Sequence, residues 1–218
     1  DMVCADHCCV DHETGQKEEE KTNVAPCMDV PFSSVCDQLT VAMHNVTYRT
    51  DILQKNNIHL DNCFYTDAEY LLYPIPYVKT VTVAPQTIYM YRVSLSTQSM
   101  NINSLQRNCA MHELVLGHLS DAYAAYENSG AAEPKTAAFL RRNIARIAGM
   151  QLFIYLTATD SKAAKQSAKA MMKTIKGKSE TLYAEVNGAK SFKMLTSTNF
   201  LLFPVLASMK KREVGANG

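Results

Sequence analysis

The feature that most restricts what this chain can fold into is a change of character near residue 102. Residues 1–101 hold six of the seven Cys and five of the seven Pro, and their β-branched and aromatic side chains alternate in short runs. Residues 103–218 are rich in Ala, Lys, Met and Leu. Period-two runs punctuated by Pro and Gly belong to strands and turns, whereas apolar residues at spacings of three and four belong to helices. A mixed α/β part followed by an all-helical part is therefore expected. Hydrophobic residues make up 47% of the chain and charged residues 20%, so either part can bury a core.

Finer readings follow the same logic. Residues 2–10 suit a buried strand, and His12-Glu13-Thr14-Gly15 a turn that pairs it with 16–22, Gly15 taking a positive φ cheaply. Residues 23–37 suggest a loop and a short helix, and 41–46 a strand. A short helix over 50–56 has Thr50 or Asp51 as its cap. A further helix starts at Asp67 and is stopped by Pro74 and Pro76. Residues 78–83 and 88–93 alternate like a hairpin turning at Ala84-Pro85-Gln86. Helices are expected over 105–128, over 136–156 behind Pro134, and over 162–175, capped by Asp160 or Ser161 and closed by Gly177. Two more cover 179–186 and 191–212, the latter kinked at Pro204.

Composition removes some functions. A formal net charge of +1 offers no basic stripe for nucleic acid. The longest apolar run, 200–207, is interrupted by Pro204 and is too short to span a bilayer. An odd number of irregularly spaced Cys reads as reduced thiols of a cytoplasmic protein. Asp1-Met2-Val3-Cys4-Ala5-Asp6 reads as a strand already under way, so the expectation is a piece of something longer.

The order of motifs over 43–101 is more specific. Met43-His44-Asn45-Val46-Thr47-Tyr48-Arg49 leads to Asp51-Ile52-Leu53 and Asn57-Ile58-His59-Leu60. Phe64-Tyr65-Thr66-Asp67-Ala68-Glu69-Tyr70 and Pro76-Tyr77-Val78-Lys79-Thr80-Val81 follow, then Ile88-Tyr89-Met90-Tyr91-Arg92 with Gln98-Ser99. This succession resembles the second half of bacterial family 2 glycosyltransferases. In that family a strand ending in Tyr-Arg precedes a helix, a loop delivers an acidic pair at a helix start, and a Tyr-x-Tyr-Arg run comes after.

The resemblance implies a partial A-type glycosyltransferase sheet over 1–101, lacking its nucleotide-binding half, and a helical bundle over 102–218. It implies an inverting transferase that moves a sugar from a nucleotide-sugar donor to a glycan or lipid-linked hydroxyl acceptor, in cell-envelope or exopolysaccharide synthesis. Mg or Mn would accompany the donor in the complete enzyme. No Asp-x-Asp metal motif occurs in this sequence, so no cofactor is expected on this chain, and the isolated chain is expected to be inactive. Asp67 falls where the family has its general base, a carboxylate that takes the acceptor proton as the oxygen attacks. It equally suits a helix cap. Thr66 stands where an acidic partner is usual. Glu69, two positions on, faces away from Asp67 on a helix, either binding acceptor or serving as a structural carboxylate. His44, Tyr48, Arg49, Arg92 and Gln98 are candidates for the acceptor pocket or the leaving diphosphate; a core His and a surface Arg are the plain alternatives.

Cys4, His7, Cys8, Cys9 and His12 look like zinc ligands, but strand alternation points Cys8 and Cys9 to opposite faces, which favours buried free thiols. Lys162, Lys165, Lys169, Lys173, Lys176 and Lys178 form a basic face, either solvated or touching anionic lipid at the inner membrane surface. The competing functional expectation is a non-catalytic interaction or regulatory module.

Overall fold

Strand β1 (Met2–Asp11) carries the pairing of the first half of the molecule. The computed structural model describes residues 1–95 and 98–216. Met2, Cys4, Ala5, His7 and Cys8 of β1 are buried, so apolar side chains are covered on both faces, as a central strand requires. Asp11 turns the chain back: its side-chain oxygen accepts from the Glu13 and Thr14 amides, and Gly15 has φ +71°. β2 (Lys17–Glu20) then runs antiparallel to residues 7–10. β3 (Cys27–Pro31) is a strand that the sequence reading treats as loop, and α1 (Phe32–Val35) follows it.

Three expectations fail here. The strand expected over 41–46 is a 3-10 turn over Met43–Asn45, because the Asn45 side chain accepts from the Ala42 amide and curls the backbone. β4 (Val46–Tyr48) begins only after it and pairs antiparallel with residues 2–4. Neither Thr50 nor Asp51 caps α2 (Thr50–Lys55); Arg49 occupies the cap position with no side-chain bond. The expected hairpin over 78–93 is one long strand, β5 (Thr80–Val93), parallel to β1. Ala5, Asp6 and His7 face Ala84, Thr87 and Tyr89, so Pro85, Gln86 and Ile88 bulge from the ladder. Pro lacks a ladder donor and is tolerated at such a bulge. β3 pairs antiparallel with the first residues of β5, giving the order β2-β1-β5-β3 with β4 beside β1. α3 (Asp67–Leu72) matches its expected bounds.

The second half is helical: α4 (Ile102–Arg107), α5 (Cys109–Asn128), α6 (Pro134–Thr157), α7 (Ser161–Lys178), α8 (Glu180–Gly188), α9 (Lys190–Ser197) and α10 (Phe203–Ala216). Two compact units result, 1–104 with 126–140, and 105–125 with 141–218. In the first, Phe139 packs edge-on to Phe32 at 5.2 Å, which holds residues 126–140 to that unit's core. In the second, Leu116, Leu119, Ile144, Leu152, Ala168, Met172, Leu182, Leu195 and Phe203 are buried. Buried His112 pairs with Gln151 at 2.7 Å, and half-buried Gln106 donates to the Ile154 carbonyl at 2.7 Å.

Gly177 does not close α7; the helix runs through it to Lys178, and Ser179 ends it and caps α8 by accepting from the Leu182 amide. The single kinked helix expected over 191–212 is two helices. Asn199 and Phe200 adopt φ 46° and 62°, and Pro204, without an N–H, sits at the second position of α10, where none is needed. Asp160 caps α7 as expected, accepting from the amides of Lys162 and Ala163 at 3.0 Å each. Asp160→Ala should lower the unfolding free energy by about 1 kcal/mol in urea denaturation; an unchanged midpoint would contradict this capping role.

Candidate functional site

The first residue of α3 presents Asp67 to solvent, and one short helix away from it everything is tied down. Glu69 is fully buried. Its Oε2 accepts from the Asp61 amide at 2.9 Å and its Oε1 from the Tyr73 hydroxyl at 3.0 Å. Asp67 and Glu69 are two positions apart, about 200° around a helix, so one points outward when the other points inward. Two tyrosines bind the helix to the sheet. Tyr48 on β4 donates to the Leu71 carbonyl at 2.7 Å, and Tyr70 on α3 donates to the Val46 carbonyl at 3.0 Å. Their rings meet edge to face at 5.5 Å. Burial pushes the Tyr48 hydroxyl well above its ordinary pKa, so it stays a donor. Tyr48 thus positions α3. Thr66, at the helix N-cap, donates to the Cys63 carbonyl at 3.5 Å.

Arg49 lies at the edge of the sheet. It pairs with Asp1 at 3.1 Å and with Asp51 at 2.5 Å. The other Asp1 oxygen accepts from the amides of Lys79 and Thr80 at 2.9 and 3.2 Å, which pins β5 beside β1. Asp6 accepts from the Thr22 amide and pairs with Lys21 at 3.1 Å. Both carboxylates near the chain start therefore have structural partners.

His44 belongs to a group the sequence reading missed. Its ring stacks on Tyr91 and Tyr89 at 4.7 and 5.2 Å and meets His7 edge-on at 4.1 Å. The parallel β1–β5 register sets His7 beside Tyr89, and the 3-10 turn lays His44 over both tyrosines. Tyr89 and Tyr91, two apart on a strand, share a face, and that spacing is the signal that marks a ring platform. Nδ1 of His7 and Nε2 of His44 are buried without a hydrogen-bond partner. Arg92 is exposed, and its carbonyl accepts from the Gln98 side chain at 2.7 Å. Gln98 also lines a cleft of about 520 Å³ with His12, Glu13, Ser94 and Asn101. Asp67 does not line it. The candidates thus form three places: the α3 start with Tyr48, Thr66, Asp67 and Glu69; the ring stack with His44; and the cleft with Gln98.

Burial, with a smaller effect from Cys27, pushes Cys4 up to about 12, and all seven Cys are free. No helix among the described residues is long and apolar enough to cross a membrane. No protein-family model, curated protein or solved structure matches the chain.

Burial holds both imidazoles below their ordinary 6.5; the carboxylates of Glu20 and Asp6 oppose this at His7, and His7 adds to it at His44. A lowered folded pKa means that the unfolded chain binds more protons, so this contribution to stability is present above about 6.5 and lost as pH falls through it. Stability should therefore fall progressively as pH drops below about 6.5, and His44→Phe, which keeps the stack, should flatten the curve. Parallel curves for the two proteins would contradict the assignment.

Proposed function

We propose that residues 1–101 are the acceptor-side part of an inverting glycosyltransferase, which moves a sugar from a nucleotide-sugar donor to a hydroxyl acceptor. The observation that carries this reading is the division of labour in α3. Glu69 is buried and bonded at both oxygens, whereas Asp67 is solvent-facing on the same rigid turn. A general base needs that combination of a fixed backbone and a carboxylate open to substrate. The Tyr48–Arg49 strand end and the helix after it lie in the order the family resemblance requires.

In the proposed reaction Asp67 accepts the proton of the acceptor hydroxyl as that oxygen bonds to the anomeric carbon. The bond from that carbon to the nucleoside diphosphate breaks on the opposite face, which inverts the configuration. The divalent ion that would neutralise the leaving diphosphate is not assigned to residues of this chain. Arg92, exposed and without a carboxylate partner among the described residues, is the side chain offered to a phosphate or a sugar hydroxyl.

One observation favours a second reading, an interaction module. Ile88, Tyr89 and Met90 are 56%, 46% and 57% exposed on a stretch of β5 whose far edge has no ladder partner among the described residues.

In the complete enzyme, Asp67→Asn should reduce turnover by about 10²- to 10⁴-fold. Its unfolding free energy should stay within about 0.5 kcal/mol of the parent, because the side chain is exposed. Glu69→Ala should instead cost about 1–3 kcal/mol of stability. Full turnover in Asp67→Asn would sink the transferase reading and leave the interaction module.

A further inference from the structure

Helix α10 leaves an apolar row in water. Its inner face packs Phe203 and Ala207 into the core of its unit. Its outer face carries Val205 and Met209, spaced by four and each 55% exposed, and Leu201 in the turn ahead of it is 74% exposed. Pro204 and Ser208 fill the same face, and no charge interrupts it before Arg212. Two helical turns of exposed apolar surface have no folding benefit within the unit.

The turn ahead of the helix holds this row outward. Asn199 and Phe200 are both left-handed, unusual for two successive non-glycine residues and strained for an aromatic. The strain is sustained by neighbours: the Phe200 amide donates to the Leu195 carbonyl at 2.6 Å, its ring is buried with the Lys169 ammonium 5.8 Å from its centroid, and Lys169 donates to the Asn199 side chain at 3.1 Å. Leu201 follows directly, the most exposed of the three.

The charge around the row is one-sided. By helical position Arg212 falls in line with the row, half-buried Lys210 and Lys211 fall behind it toward the inner face, and α9 adds exposed Lys190 and Lys193. Over residues 190–213 the one carboxylate is Glu213, and Lys210 neutralises it at 2.6 Å. A second copy of this chain would set the same cations against one another. An apolar row rimmed by cations fits a surface that is apolar beneath and negative at its face.

We infer that the outer face of α10 and the turn before it dock onto an anionic phospholipid surface, with Leu201, Val205 and Met209 entering the headgroup boundary and Arg212 meeting the phosphates. The basic face of α7 is the weaker surface for this role. Lys178 pairs with Asp121 at 2.8 Å, Lys176 with Glu180 at 3.9 Å, and Lys169 is taken up by the turn. The inference stands apart from the transferase reading and survives its failure.

The test is sedimentation of the 218-residue chain with vesicles of phosphatidylglycerol and phosphatidylcholine, against phosphatidylcholine alone. Binding is expected to the anionic vesicles at low salt and to weaken as salt rises. Leu201→Ser/Val205→Ser/Met209→Ser should reduce it about tenfold or more with an unchanged circular dichroism spectrum. Arg212→Glu should reduce it about fivefold. Absence of binding overturns the proposal, as does equal binding by the triple serine variant. Binding lost through Lys162→Glu/Lys173→Glu while the α10 variants bind normally transfers the role to α7 and also overturns it. A lipid-free dimer abolished by the triple variant would assign the face to a second copy instead.

Discussion

The buried carboxyl group of Glu69 is the contact on which the candidate site depends. A carboxyl removed from water is tolerated only when its oxygens are met by donors. Here the Asp61 amide and the Tyr73 hydroxyl meet them. That requirement fixes where the loop before α3 ends and which way the helix faces. Because side chains two apart on a helix point to opposite sides, burying Glu69 exposes Asp67. The accessibility of the proposed base is thus a by-product of satisfying its buried neighbour.

The rest of the first unit carries that arrangement back to the sheet. Tyr48 and Tyr70 exchange hydrogen bonds with each other's elements, so β4 and α3 move together. β4 is bonded to β1, and Asp1 fastens β1 and Arg49 to the start of β5. The ring stack of His7, His44, Tyr89 and Tyr91 covers the same sheet further along, at the cost of two imidazole nitrogens left without partners.

Local chemistry made some of this readable from the residues. Asp67 with Pro74 bounded α3, Gly15 after Asp11 marked the β1–β2 turn, and Asp160 marked the start of α7. Elements that depend on distant partners were not readable. Pro85 reads as a turn, yet the parallel ladder with β1 keeps β5 extended through a bulge. The 3-10 turn at His44 depends on one side-chain bond from Asn45, and the break before α10 on a left-handed pair that no glycine announces. Asp67 and Glu69 were placed on opposite sides of a helix by spacing alone. The ring stack was missed because its members come from three segments joined only by strand register.

The most direct measurement of the proposed transferase role is a crystal structure with a hydroxyl acceptor bound. The present account predicts an Asp67 carboxylate oxygen within about 3 Å of the acceptor hydroxyl, with Glu69 still accepting from the Asp61 amide. An acceptor bound at the Gln98 cleft, with Asp67 open to solvent and out of hydrogen-bond reach, would contradict it.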